Sequence, residues 1–176
     1  IVARGYCRAS IGTVSHLPVL RLAPVKENRN NCPFLTGDRC AIHDAEPLVC
    51  ALYPLAQEIS RKGQVSYFLQ PTGCGGQVIE ARVEDYLARY DVPAREQTDV
   101  RWAQTCMTLE DTVEQLEALL SPVLVRRMQD KLWQALYFSY DYAAPFLPQL
   151  EKKLHWLDAE FAKLTEYQQK RNNASK

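Results

Sequence analysis

The segment SPVLVRRMQDKLWQALYFSYDYAAPFLPQLEKKLHWLDAEFAKL, residues 121–164, decides the fold class. Apolar side chains recur every three or four residues on both sides of a corner that contains Pro145 and Pro148, which is typical of two amphipathic helices. The first helix, over about 122–142, carries Val125, Met128, Leu132, Leu136 and Tyr140; the second, over about 148–170, carries Leu150, Leu154, Leu157, Phe161 and Leu164. The segment is therefore predicted to form an antiparallel helical hairpin.

The chain before this hairpin is also predicted to be helical, back to about residue 81. A first helix is expected over 83–90, where Pro93 and the residues before it stop the pattern. Residues 95–120 hold at least one more helix, with Thr108 as a plausible N-cap. Its apolar stripe consists of Leu109, Val113, Leu116, Leu119 and Leu120. Residues 81–176 are thus expected to form a helical region that ends in the long hairpin.

Residues 1–80 differ in composition and are rich in Pro, Gly and Asp, which is typical of turns and loops. Strands are predicted there at about 17–24 and 64–69. The same residues contain a C-x7-C-x9-C-x23-C pattern formed by Cys32, Cys40, Cys50 and Cys74. Thiolates that converge from turn-rich backbone hold a soft metal or an iron–sulfur cluster, or close disulfides. The predicted fold is mainly α: a loop-built cysteine module with one or two short strands, packed on a C-terminal helical bundle within one compact domain.

Composition limits the classes of partner. Lys plus Arg and Asp plus Glu number 21 each, so no net field draws the chain to nucleic acid, and no apolar run approaches the 18 residues of a membrane span. Residues 107–176 contain no cysteine, whereas small disulfide-stapled domains spread cysteines along their length. A reducing, cytoplasmic setting with a local metal site is expected, with disulfides in an exported protein as the alternative.

The residues around the four cysteines suit a metal site. Thr36, Gly37 and Asp38 can form a turn between Cys32 and Cys40, and glycines flank Cys74, where backbone can approach a cluster closely. His43, three residues from Cys40, is a further candidate ligand, with a role in packing as the alternative. Because the spacing has no C-x2-C pair, it does not by itself choose between zinc and an iron–sulfur cluster.

Four short motifs add a resemblance to this reading. They are Cys32-Pro33-Phe34-Leu35, Cys40-Ala41-Ile42-His43, the stretch PLVCALYPL at 47–55, and Cys74-Gly75. Together with the lead-in at 11–22 and the helix that follows the cysteines, they resemble the YkgJ-like cysteine-cluster family of zinc- or iron-chelating proteins over residues 11 to about 90. The resemblance implies that these four cysteines hold zinc or an iron–sulfur cluster. A related pattern in the flagellin lysine methylase implies an iron–sulfur-dependent N-methyltransferase as an alternative.

The chain departs from that family in two places. Members usually carry a C-x2-C-x2-C-C group upstream, whereas here Cys7 stands alone. We therefore expect either further cysteine ligands before Ile1 or a site with fewer ligands than in the family. Glu46 and Ala51 stand where the family often has basic residues, so the resemblance supplies no anion contact at those positions.

The end of the first hairpin helix is rich in aromatic residues, namely Trp133, Tyr137, Phe138, Tyr140, Tyr142 and Phe146. Such a cluster forms a helix-packing core or a groove for a protein partner. The sequence thus predicts a metal-binding protein with metal-handling, redox or cluster-dependent activity. One alternative is an interaction protein with structural zinc that binds a partner through its C-terminal helices. The methyltransferase-like enzyme is the other.

Overall fold

The fold is mainly α, as predicted, in a computed structural model that describes residues 5–24, 32–37, 39–43, 46–71 and 82–174. The helices are α1 (Leu48–Ala51), α2 (Val83–Arg89), α3 (Val92–Leu119), α4 (Pro122–Tyr137) and α5 (Phe146–Ala174). The strands are β1 (Cys7–Ile11), β2 (Pro18–Leu22), β3 (Leu35–Thr36), β4 (Arg39–Cys40), β5 (Leu55–Ile59) and β6 (Val65–Leu69). None of the helices in these ranges has the length and apolarity to cross a bilayer.

The chain divides into two compact units, and each is built from two separate stretches of sequence. The first unit comprises Ile1–Tyr6 and Leu22–Gln104, and the second comprises Cys7–Arg21 and Thr105–Lys176. Helix α3 contributes its first half to the first unit and its second half to the second unit.

The second unit contains the predicted helical hairpin, in which α4 packs against α5. The two helices are antiparallel, because Ser121 at the start of α4 bonds to Gln168 near the end of α5, whereas Lys153 reaches Phe138 just after α4. The core of this unit consists of buried apolar side chains: Leu17, Leu109, Val113, Leu116, Leu120, Leu124, Met128, Leu132, Ala135, Leu136, Leu150, Leu157 and Phe161. Leu119, which was expected on the apolar stripe, is instead 61% exposed.

The ends of the hairpin helices differ from the prediction. Helix α4 stops at Tyr137 rather than at about residue 142, because Phe138 is extended and Ser139 adopts a left-handed conformation at φ 60°. Helix α5 begins at Phe146, two residues earlier than expected, and places Pro148 in its first turn. A proline is tolerated there because the first turn leaves its N–H groups without helical partners.

Helix α3 is one continuous helix, so the prediction that Thr108 is an N-cap is wrong. Thr108 lies in mid-helix, where its carbonyl accepts a hydrogen bond from the Thr112 hydroxyl at 2.9 Å. The helix starts at Val92, with Pro93 in the first turn, and Asp91 at φ 52° makes the break after α2. The predicted start at about residue 95 is therefore three residues late.

The first unit holds an antiparallel hairpin of β5 and β6, paired from Leu55 opposite Leu69 to Ile59 opposite Val65. Strand β6 was predicted and β5 was not; likewise β2 was predicted, but its partner β1 was not. Gly63 turns the hairpin at φ 77°, and a Cβ there would lie 3.2 Å from Val100 Cγ1 on α3. The buried apolar residues described in this unit are Ala23, Ala51, Leu52 and Val92.

Candidate metal centre

Two of the predicted ligands lie at the two ends of one small hairpin. Cys40 ends β4, opposite Leu35 of β3, and Cys32 accepts a hydrogen bond from the Leu35 N–H at 3.1 Å through its carbonyl. Gly37 turns the chain between the strands at φ 60°, a conformation that favours glycine. Cys32 and Cys40 therefore lie on backbone that neighbours Leu35. Asp38, the last residue of the predicted turn, lies outside the described residues.

Cys50 comes from a separate element, the single turn of α1. The Pro47 carbonyl accepts hydrogen bonds from the N–H groups of Cys50 at 2.8 Å and Ala51 at 3.2 Å. Ala51 and Leu52 are buried, while Cys50 is exposed. The turn is thus anchored by its apolar side and presents its thiol at the surface.

A tyrosine side chain of helix α2 contacts the backbone that follows Cys50. The Tyr86 hydroxyl is within hydrogen-bonding distance of the Ala51 carbonyl, at 3.2 Å, and the Tyr53 carbonyl, at 2.5 Å. The Tyr53–Pro54 peptide is cis. From the sequence, Tyr86 was one member of an apolar helical stripe; the structure adds that its hydroxyl binds the segment carrying Cys50. A tyrosine on such a stripe is the only sequence signal for that role.

The pKa of the Cys50 thiol depends on the charge of the neighbouring cysteines. Its pKa is raised, first because its surroundings desolvate the thiolate, and then because negative charge on Cys32, Glu46 and Cys40 opposes ionisation. Three of the four sequence-predicted ligands therefore belong to one electrostatic cluster. The fourth, Cys74, lies outside the described residues.

Glu46 is a member of this cluster that the sequence flagged only as a departure from the family pattern. Its side chain is 13% exposed, and its Oε2 lies 3.4 Å from Nδ1 of His43, whose side chain is largely exposed. The pKa of Tyr86 is raised mainly by desolvation, and the negative charge of Glu46 makes a small further contribution. The cluster thus contains a carboxylate as well as thiols.

The donor atoms suit a soft or borderline metal. Thiolate and carboxylate are both zinc ligands, and thiolates hold iron–sulfur clusters. Within the described ranges, however, no three His, Cys, Asp or Glu side chains are close enough together to hold a metal ion, and no disulfide joins the cysteines of those ranges. A bound cation would attract the Cys50 thiolate and so oppose both the desolvation and the neighbouring negative charge that raise its pKa. A thiol must lose its proton to become a ligand.

The other two described cysteines are in the second unit. Cys7 starts β1, and Cys106 is half-buried on α3, where desolvation and then Glu110 raise its pKa to about 11. A protonated, half-buried thiol is a poor ligand and a poor nucleophile. Neither residue was predicted to be a ligand.

Comparison with known proteins adds no relative: no family model matches the chain, and no curated protein or solved structure is significantly similar to it. The YkgJ-like resemblance therefore stays a prediction that rests on the cysteine motifs themselves.

Proposed function

We propose that this chain is a metal-binding protein that holds zinc or an iron–sulfur cluster through Cys32, Cys40, Cys50 and Cys74. The observation that supports it best is that Cys50, on the turn of α1, lies near enough to Cys32 and Cys40, beside the β3–β4 hairpin, for their charge to add to the desolvation that raises its pKa. Cys32 and Cys50 are exposed, so packing in an apolar core is not the reason for them to lie near one another. Soft-metal binding supplies such a reason.

The modest core of the first unit supports the same proposal. Its described buried apolar side chains, Ala23, Ala51, Leu52 and Val92, include two alanines, whereas the second unit buries long runs of leucine. A structural metal contributes folding free energy directly, since the ligands of the unfolded chain are not preassembled. In this proposal the metal stabilises the loops around the cysteines, in a reducing, cytoplasmic setting.

Metal analysis of protein purified without oxygen tests the proposal and separates its two forms. An iron–sulfur cluster would give brown protein with visible absorbance that bleaches on reduction, and would support redox or cluster-dependent activity. One zinc per chain in a colourless preparation would support metal handling or a structural role. Protein that binds neither after reconstitution with zinc, or with iron and sulfide, would contradict the proposal.

Substitution of one cysteine sharpens this test. We expect Cys50→Ser to lose most of the bound metal, because a hydroxyl is a far weaker ligand than a thiolate for a soft or borderline metal. Cys106→Ser is the matched control, since it removes a thiol of the second unit that is not a proposed ligand. Metal content is measured per folded chain in both variants. Full metal content in Cys50→Ser would count against the proposed ligand set.

A second candidate, an interaction protein with structural zinc, is favoured by the exposed aromatic residues after α4. Tyr142 is 97% exposed and Phe138 is about half exposed. By contrast, the rings of Tyr140 and Phe146 contact each other in a tilted arrangement, with centroids 5.2 Å apart, and are half-buried, so they belong to the hairpin corner. Under this candidate, Tyr142→Ser with Phe138→Ser should abolish a partner complex while metal content stays unchanged. Tyr167→Ser, an exposed aromatic change on α5, is the control.

A further inference from the structure

An aspartate on α3, in the first unit, has one carboxylate oxygen that is buried and accepts no hydrogen bond. Oδ2 of Asp99 is shielded from solvent, and no residue that the structure describes donates to it, although the residue as a whole is only partly buried. Buried polar atoms normally have a partner, because burial without one costs free energy, and the cost is greatest for a charged group. Asp99 is not a proposed metal ligand, so the metal centre does not explain this oxygen.

The β5–β6 hairpin lies against the side of α3 that carries Asp99. The Tyr67 hydroxyl of β6 donates a hydrogen bond to Glu96 Oε2 at 3.2 Å and accepts one from Gln57 Nε2 at 3.0 Å. Four residues further along α3, the Val100 side chain meets the turn of the hairpin. Asp99 adjoins Val100 and is three residues from Glu96, a spacing that makes side chains neighbours on a helix surface. The carboxylate therefore lies beside the contact between helix and hairpin.

The charged groups of α3 do not compensate the charge of Asp99. Burial desolvates its carboxylate, and this effect outweighs the attraction of Arg95, which is exposed, while Glu96 adds repulsion. The pKa of Asp99 is raised as a result. The folded unit thus favours the protonated, neutral form of this side chain.

The hairpin does not compensate the charge either. Its titratable group on the side of α3 is Tyr67, which is near enough to Asp99 for their charges to interact. Glu58 of β5 lies on the opposite face from Tyr67, because side chains alternate along paired strands. Arg61 and Lys62 are exposed in the turn. Water is therefore the remaining source of hydrogen bonds for an ionised Asp99, and water reaches Oδ2 only if the contact opens.

We propose that Asp99 makes the contact between the β5–β6 hairpin and α3 proton-dependent: the hairpin stays closed on the helix while Asp99 is protonated and opens more often once Asp99 is ionised. This conformational device goes beyond the proposed metal binding and does not rest on it. The opening is local, of the kind that occurs without unfolding of the whole domain.

The direction of the pH dependence follows from the raised pKa. Opening hydrates the carboxylate and returns its pKa toward the ordinary value of 3.8. Asp99 therefore stabilises the closed hairpin in full below pH 3.8, and this contribution is lost as the pH rises through the raised pKa.

Hydrogen exchange of the backbone amides of β5 and β6 in the full-length chain measures the opening. We expect their protection factors, corrected for intrinsic exchange rates, to fall as the pH is raised from about 4 to about 7, by at most about tenfold per pH unit, the limit for one proton. Asp99→Asn keeps the shape of the side chain but cannot ionise, so it should remove this fall. Glu58→Gln, which neutralises an exposed carboxylate of the same hairpin, is the matched control and should keep it.

Three results would overturn the inference. They are protection in the wild type that does not fall with pH, a fall in Asp99→Asn equal to that of the wild type, and loss of the fall in Glu58→Gln as well, which would assign the effect to the net charge of the hairpin. If Asp99→Asn does not fold, titration of the Asp99 carboxyl carbon in the wild type by nuclear magnetic resonance decides. A midpoint above 3.8 would support the inference, and a midpoint at or below that value would overturn it.

Discussion

Residues of the same type differ chemically in this protein because their surroundings differ. Cys50 is exposed and coupled to other thiols, whereas Cys106 is half-buried on α3 with a pKa raised to about 11. Folding thus makes Cys106 hold its proton more tightly than in the unfolded chain, where the pKa is near 9.0. This side chain contributes stability in full below pH 9 and loses that contribution as the pH rises toward 11.

The pH dependence of unfolding tests this behaviour of Cys106. A shift of about two pKa units corresponds to about 2–3 kcal/mol of unfolding free energy. We expect Cys106→Ala to lose less stability than the wild type between pH 9 and pH 11, measured by urea unfolding. Cys7→Ala, which removes another thiol of the same unit, is the control. Equal pH slopes in wild type and Cys106→Ala would show that this thiol is not protected by folding.

Polar side chains from α5 determine where the helical hairpin turns. Gln149 Nε2 lies 3.0 to 3.1 Å from the carbonyls of Asp141, Ala144 and Pro145, while its Oε1 accepts from the Asp141 N–H at 2.8 Å. Lys153 reaches back to the Phe138 carbonyl at 2.7 Å and lies over the Tyr140 ring. The loop carbonyls that follow α4 are therefore satisfied by the next helix rather than by a local cap.

Replacing Gln149 tests the importance of this corner. We expect Gln149→Ala to lower the free energy of unfolding by about 1–2 kcal/mol, because several backbone groups lose their partner although solvent can replace part of the loss. Chemical denaturation measures the change. Gln169→Ala, an exposed glutamine near the other end of α5, should change stability little. Similar losses in both variants would show that the corner bonds do not stabilise the hairpin.

These contacts explain why some ends of helices and strands were predicted well from the sequence and others were not. The start of α2 at Val83 and the strand β2 follow from local patterns, so their predicted positions were close. The end of α4 depends on Ser139, Gln149 and Lys153, and a period of apolar residues carries no information about such tertiary bonds. Strand β5 was missed because Leu55 to Ile59 follows a cluster of turn signals and lacks clear alternation.

The candidate metal centre was predictable to a similar extent. Clustered cysteines and the turn at Gly37 indicated that Cys32 and Cys40 lie close together. The place of Glu46 could not be predicted, because it depends on the single turn of α1 after Pro47 and on burial of that side chain. The bracing hydroxyl of Tyr86 depends on contacts between residues more than thirty positions apart in the sequence.

At the scale of the whole molecule, the proposed function predicts that the two units depend on different sources of stability. All four proposed ligands belong to the sequence of the first unit, whereas the second unit has a core of leucine, methionine and phenylalanine side chains. Metal removal should therefore affect them unequally. We expect a chelator to abolish hydrogen-exchange protection mainly in residues 32–71 and to leave α4 and the buried part of α5 protected. Uniform loss of protection, or no loss, would contradict this expectation.

The discontinuous composition of the second unit has a consequence for synthesis on the ribosome, where the chain emerges from its N-terminus. Residues 7–21 are made first, but Pro18 receives its hydrogen bond from Tyr137, and His16 pairs with Glu117. About a hundred further residues must therefore be translated before residues 7–21 can form these contacts with Glu117 and Tyr137. By then the entire segment from Cys32 to Cys74 has been translated. If the proposed metal site forms, a nascent chain can take up its cation before the helical unit is complete, and the supply of metal during translation would then govern the yield of folded protein.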